Sequence, residues 1–105
     1  VIPYLDGYSV NVHRVPYGVT AHIIPWNYPA QQFGRSVGPA LAVGNASVVK
    51  PSEDACLTTL VMSQLALEAG LPAGALNIVA GLGDKAGAAL ASHSDINFRN
   101  VFVIR

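Results

Sequence analysis

Three short β-branched runs alternate with segments of helical period, and that alternation constrains the fold more than any other feature of the chain. Residues 18–24 (GVTAHII) are closed by Pro25, residues 46–49 (ASVV) by Lys50-Pro51, and residues 76–79 (LNIV) stand before Gly81. Each has the length and composition of a buried strand. Residues 30–43 read as a helix, with Pro29 near its start and Gly44-Asn45 as its stop. Pro39 is expected to kink or split that helix near Gly38. A second helix begins after Ser52 or Asp54, either of which can cap it, and ends at Gly70 and Pro72. Glu53 and Asp54 set negative charge at the positive end of its dipole. Leu57, Leu60, Val61 and Leu65 form an apolar stripe at helical spacing. Residues 85–92 read as a small-residue helix and residues 101–104 as a possible fourth strand. Strands alternating with helices of this length make βαβ units, hence an α/β fold with a parallel sheet and right-handed crossovers. Tyr8, Val10 and Val12 alternate as a two-sided strand would, so residues 1–15 are expected to stand outside the domain formed by residues 16–105.

Composition agrees with a sheet covered on both faces. Apolar residues make up 51% of the 105-residue, 10.9 kDa chain and charged residues only 11%, with a mean hydropathy of +0.40. That is less than half the usual charge of about 25%, and a small domain buries a smaller share of its surface than a large one. The chain therefore reads as part of something larger, and it opens on Val1 rather than on an initiator Met. Six Lys plus Arg balance six Asp plus Glu, which leaves no field to steer nucleic acid or an anionic membrane. No basic region precedes a continuous apolar run, so neither a signal peptide nor a membrane span is expected. A single cysteine excludes an intrachain disulfide and fits a reducing, cytoplasmic setting. His13, His22 and His93 lack ligand spacing, and no metal site is expected.

Ligands of parallel sheets bind at the carboxyl ends of the strands, which directs attention to three strings. In Pro25-Trp26-Asn27-Tyr28-Pro29 two prolines fix the backbone around an amide able to donate two hydrogen bonds. Asn27 in that setting either caps the following helix or holds a developing oxyanion. In Lys50-Pro51-Ser52-Glu53 a cation and a carboxylate lie three apart across a strand-to-helix turn. They are either a surface ion pair or a pair that grips the two hydroxyls of one ribose, the carboxylate favouring NAD over NADP. Gly81-Leu82-Gly83-Asp84-Lys85-Ala86-Gly87 is spaced G-x-G-x-x-x-G rather than as the strict dinucleotide fingerprint. Cys56, near the start of the second helix, has no neighbouring His to serve as its base and reads as a buried structural thiol.

Taken in order, Pro16-Tyr17-Gly18-Val19, the Pro25–Pro29 string, Gly44-Asn45-Ala46, Lys50-Pro51-Ser52-Glu53, Glu68-Ala69-Gly70-Leu71-Pro72 and Gly81-Leu82-Gly83 resemble the aldehyde dehydrogenase superfamily over residues 2 to 97. The resemblance implies a partial Rossmann-like, NAD(P)-binding sheet from the amino-terminal, cofactor-binding region of that fold. It implies that Asn27 helps hold the thiohemiacetal oxyanion. It further implies that Lys50, Ser52 and Glu53 lie on the adenosine ribose, that Ile23, Ile24 and Trp26 run along the cofactor, and that Gly83 and Gly87 stand beside its adenosine half. In the family a thiolate attacks the aldehyde, hydride passes to the nicotinamide, and a Glu-activated water releases the acid. That Cys and that Glu lie in later segments which this chain does not contain, and Cys56 does not match the nucleophile. Residues 98–105 depart from the family pattern.

The resemblance thus implies part of an oxidoreductase that turns aldehydes into carboxylic acids with NAD, or NADP, and that is inactive as this chain alone. The alternative is a non-catalytic module that self-associates or binds nucleotide weakly. A sheet edge at residues 101–104, guarded only by Arg99 and Arg105, and a second at residues 8–12 make a homo-oligomer the expected assembly.

Overall fold

A computed structural model describes residues 6–102. The strands are β1 (Val19–Ile24), β2 (Ala46–Pro51), β3 (Leu76–Ile78) and β4 (Phe98–Val101), and the helices are α1 (Pro29–Ala42), α2 (Cys56–Glu68) and α3 (Ala88–Ser92). All three strand pairings are parallel, in the spatial order β3-β2-β1-β4. The chain therefore builds outward from β1 to β3 and returns to the other side of β1. That reversal is the start of the doubly wound Rossmann-like order, and the crevice between β1 and β4 at their carboxyl ends is its switch point.

Register decides what each face carries. Side chains alternate along a strand, and Thr20 lies level with Ser47 and Leu76, His22 with Val49 and Ile78. These residues, with Ile24, form the face covered by α1 and α2. Ile24, Phe33, Val37, Val49 and Leu76 are its buried centre, flanked by Leu41, Met62, Ala66, Leu71 and Ile78. Val48 and Lys50 alternate onto the opposite face.

The two long helices stop in the same way. Gly44 N–H bonds the Leu41 carbonyl and Asn45 N–H that of Ala40, while Gly70 pairs with Leu67 and Leu71 with Ala66. Gly44 and Gly70 have φ of +90° and +95°, the left-handed conformation such a C-terminus requires. Asn45 then ties the first of these ends to the sheet. Its side chain accepts from Gly18 N–H at 3.0 Å and donates to the Ala40 carbonyl at 3.0 Å.

Several sequence expectations are corrected. Helix α1 passes through Pro39 as one 14-residue helix instead of splitting. Pro39 has no N–H to give the Arg35 carbonyl, and both residues are exposed. The stripe of α2 points outward: Leu57 is 74% exposed and Val61 58%, while Thr59 is fully buried and Met62 and Ala66 meet the core. A helix with apolar residues on every side, Met62 and Ala66 opposite the leucines, carries no periodicity that selects its buried face. The fourth strand begins at Phe98, not at residue 101, because Asn97 sets its register. Asn97 N–H bonds the Val19 carbonyl and its side chain accepts from Val19 N–H, both at 2.9 Å. Residues 103–105 lie outside the described residues. The helix read at 85–92 is a π turn over Gly83–Gly87 followed by α3. The strand expected around Tyr8 to Val12 reduces to an isolated bridge at Val10, with Tyr8 and Val12 exposed. Residues 1–5 of that segment also lie outside the described residues.

Gly18 is a position where only glycine fits. Its φ is +111°, and a Cβ would stand 2.7 Å from Asn97 Oδ1, the atom that anchors β1 to β4. Gly18→Ala is expected to lower stability by about 2 kcal/mol, read as a lower urea midpoint at unchanged slope.

Candidate functional site

The carboxyl ends of β1 and β2 and the loop after β3 converge on one edge of the sheet. The β1 end is stiff. Pro25 follows the strand, Tyr28 sits at φ +54°, and Pro29 opens α1. Asn27 does not cap that helix, since Tyr28 holds the cap position and makes no side-chain cap bond. Asn27 Oδ1 is buried without a partner, so its oxygen is the inward end of the amide. Trp26 is 61% exposed beside it. Ile23 is half-buried, whereas the Ile24 side chain is turned into the core against α1. The structure thus brings Ile24 to the site by its backbone alone.

At the β2 end Lys50 stands level with Ile23 on the face opposite the core and is 3% exposed. A lysine so buried needs a partner, and its Nζ meets Glu53 Oε2 at 2.7 Å. Ser52 sets the turn between them, its hydroxyl accepting from Asp54 N–H at 3.3 Å. That bond caps the short 3-10 turn Glu53–Ala55 that leads into α2.

The loop after β3 supplies the third component. Glu53 is held from an ordinary 4.5 down to about 2, first by the Lys50 hydrogen bond, then by its own backbone N–H, with the Lys50 charge and the Gly83 N–H adding to them against partial burial. Gly83, 30 residues away in sequence, therefore stands near the Glu53 carboxylate, whose one side-chain hydrogen bond among the described residues is to Lys50. Gly87 is buried at the end of the π turn. Lys50, Ser52, Glu53 and Gly83 are brought together, then, while Asn27 and Trp26 lie on the neighbouring strand end. Cys56 is half-buried at the first residue of α2.

This arrangement can hold a vicinal diol. A fixed ammonium and a fixed carboxylate present donors and an acceptor side by side, and two adjacent hydroxyls satisfy both. The carboxylate stays ionised throughout the neutral range. Because its folded pKa is depressed, the stability it contributes is present above about pH 4.5 and is lost as pH falls through about 2. Glu53→Gln is expected to flatten the acid limb of the stability profile in that window, as followed by circular dichroism across pH.

One polar group escaped the sequence reading. Thr20, His22 and Ser47 form a buried hydrogen-bonded trio on the core face, with His22 Nε2 3.0 Å and Ser47 Oγ 3.1 Å from Thr20 Oγ1. Its signal was available: polar side chains at two alternate positions of an otherwise apolar strand.

Comparison with known proteins agrees on one family. A model described as "Aldehyde dehydrogenase family" matches residues 1–101. Hydroxyisobutyraldehyde dehydrogenase of Mycolicibacterium austroafricanum is 57% identical over 81 residues, covering 77% of this chain and 16% of that protein. Aldehyde dehydrogenase family 2 member B4, mitochondrial, of Arabidopsis thaliana is 52% identical over 96 residues, covering 91% of this chain and 18% of that protein. The crystal structure of PnpE in complex with nicotinamide adenine dinucleotide superimposes at a TM-score of 0.82 with 46% identity, over 84% of this chain and 18% of that one. The chain thus spans less than a fifth of each of these relatives.

Proposed function

The chain belongs to the aldehyde dehydrogenase family, and from that premise we propose that it forms the adenosine-ribose half of a nicotinamide dinucleotide site in an enzyme that oxidises aldehydes to carboxylic acids. The observation that carries this reading is the convergence of Lys50, Glu53 and Gly83 at the strand ends. The fit to the cofactor is chemical. Glu53 accepts from the ribose 2′-hydroxyl and disfavours a phosphate there, which supports NAD over NADP. Lys50 donates to the neighbouring hydroxyl. Gly83 has open space where a side chain would stand, so the loop leaves room for the adenosine. Trp26, which is exposed, and the backbone of Ile23 and Ile24 extend the proposed site along β1, and Gly87, buried at the end of the π turn, stands on the side of the adenosine half. When bound, the cofactor supplies the hydride acceptor.

Asn27 contributes separately. With its oxygen buried, its amide nitrogen is left to donate at the end of β1, and a donor fixed before the reaction costs no reorganisation when negative charge develops on a substrate oxygen. The nucleophile and general base are not assigned to any residue here. Cys56 is the one thiol of the sequence, and it is half-buried at the first residue of α2.

The chain with NAD and a panel of aliphatic and aromatic aldehydes is accordingly expected to form no NADH above background, followed at 340 nm. Turnover that vanishes in Cys56→Ser would overturn the assignment of the chain to cofactor binding and oxyanion support alone.

A further inference from the structure

Between α1 and the β1–β4 edge lies a pocket of about 340 Å³, within the range of small-molecule sites. None of the strand-end residues discussed above lines it. Tyr17 and Phe98, their rings stacked at 5.2 Å between centres, contribute aromatic surface, and Pro39 and Val43 of α1 contribute apolar surface from the helix side.

Most of the polar side chains around the pocket already have partners inside the fold. Ser36 Oγ donates to the Gln32 carbonyl at 2.8 Å. Asn45 is bonded to Gly18 N–H and to the Ala40 carbonyl, and Thr20 and His22 are buried in their trio with Ser47. Arg35 is different. It lines the pocket, it is exposed, and no Asp or Glu lines the pocket with it. The one ion pair among the described residues is that of Lys50 with Glu53, so the Arg35 guanidinium has no carboxylate of the chain beside it. Asn100, half-buried on β4, adds an amide that can donate. A guanidinium offers only donors, in a planar fork, and keeps its charge at every working pH. The group that matches that fork is a planar carboxylate.

We propose that this pocket binds a small monocarboxylate with a ring-sized apolar body, the carboxylate on Arg35 with the Asn100 amide as a second donor and the ring against Tyr17 and Phe98. The ring takes the offset or edge-on geometry that aromatic pairs prefer. Selection works from two sides. The lone cation ranks an anion above a neutral molecule of the same shape, and the apolar walls rank a ring above a bare anion. Because Arg35 is exposed, the preference for charge is modest and weakens with salt.

The test is a ¹⁵N NMR titration of the chain with benzoate, with benzamide as its neutral isostere and with acetate. Benzoate is expected to shift the amides of Val43, Phe98 and Asn100 and the Nε–H signal of Arg35. It should bind about three- to fivefold more tightly than benzamide, the upper end of what an exposed ion pair contributes. It should bind about tenfold more tightly than acetate, which lacks the ring. Arg35→Gln, a change at an exposed position that leaves the fold intact, is expected to bring benzoate and benzamide to the same affinity. Should that variant not fold, the wild-type ratios and the Arg35 Nε–H shift decide. Benzoate binding no tighter than benzamide, or a ratio unchanged by Arg35→Gln, would overturn the proposal. So would acetate or inorganic phosphate binding as tightly as benzoate, shifts that map elsewhere, or no shifts up to the solubility of benzoate.

Discussion

Ile24→Ala is expected to lower the unfolding free energy by about 3 to 4 kcal/mol. Ile24 is 1% exposed and belongs to the buried cluster with Phe33, Val37 and Val49. Truncation removes its apolar atoms from that centre and leaves a cavity that helix and sheet cannot both close, which places the cost in the upper half of the range for such changes. Domains are stable by only about 5 to 15 kcal/mol, and a chain of this size stands at the low end, so the variant should be substantially unfolded in mild urea. Leu57→Ala is the matched control. Leu57 belongs to the stripe that the periodicity assigned to the core, yet it is 74% exposed, and its loss should change stability by no more than about 0.5 kcal/mol. Equal costs at the two positions would contradict the described orientation of α2.

That contrast shows where the sequence was legible. The first three strands were readable because each is a β-branched run closed by proline or glycine, and α1 was readable to its end because Gly44-Asn45 is a helix stop with a physical mechanism. The pairing of Lys50 with Glu53 could be read from spacing alone, since both lie on one strand-to-helix turn. The approach of Gly83 to Glu53 could not, because it depends on β3 running beside β2 and is a contact of topology rather than of sequence. Strand β4 was displaced by three residues for a related reason. Phe98-Arg99-Asn100 has no apolar alternation, since an edge strand buries little, and Asn97 sets its start through bonds to Val19 on a distant strand. The choice left open at Asn27, between helix cap and oxyanion donor, needed the backbone: with Tyr28 at positive φ in the cap position, the Asn27 side chain is displaced from the helix end.

The second large effect concerns the cofactor. Glu53→Gln is expected to weaken NAD binding about tenfold, because a neutral amide replaces the charged acceptor on a ribose hydroxyl and charge-assisted hydrogen bonds are roughly twice as strong as neutral ones. The change also leaves Lys50, 3% exposed, without its carboxylate. With only the adenosine half of the site in these residues, the wild-type chain is expected to bind NAD with a Kd of about 1 mM, or roughly −4 kcal/mol. The most direct measurement is a ¹⁵N NMR titration of the chain with NAD. The amides of Lys50, Glu53 and Gly83 should shift together along one isotherm, and Glu53→Gln should move that isotherm to about tenfold higher NAD. Absence of shifts at these three residues in excess NAD, or an isotherm unchanged by Glu53→Gln, would contradict the account.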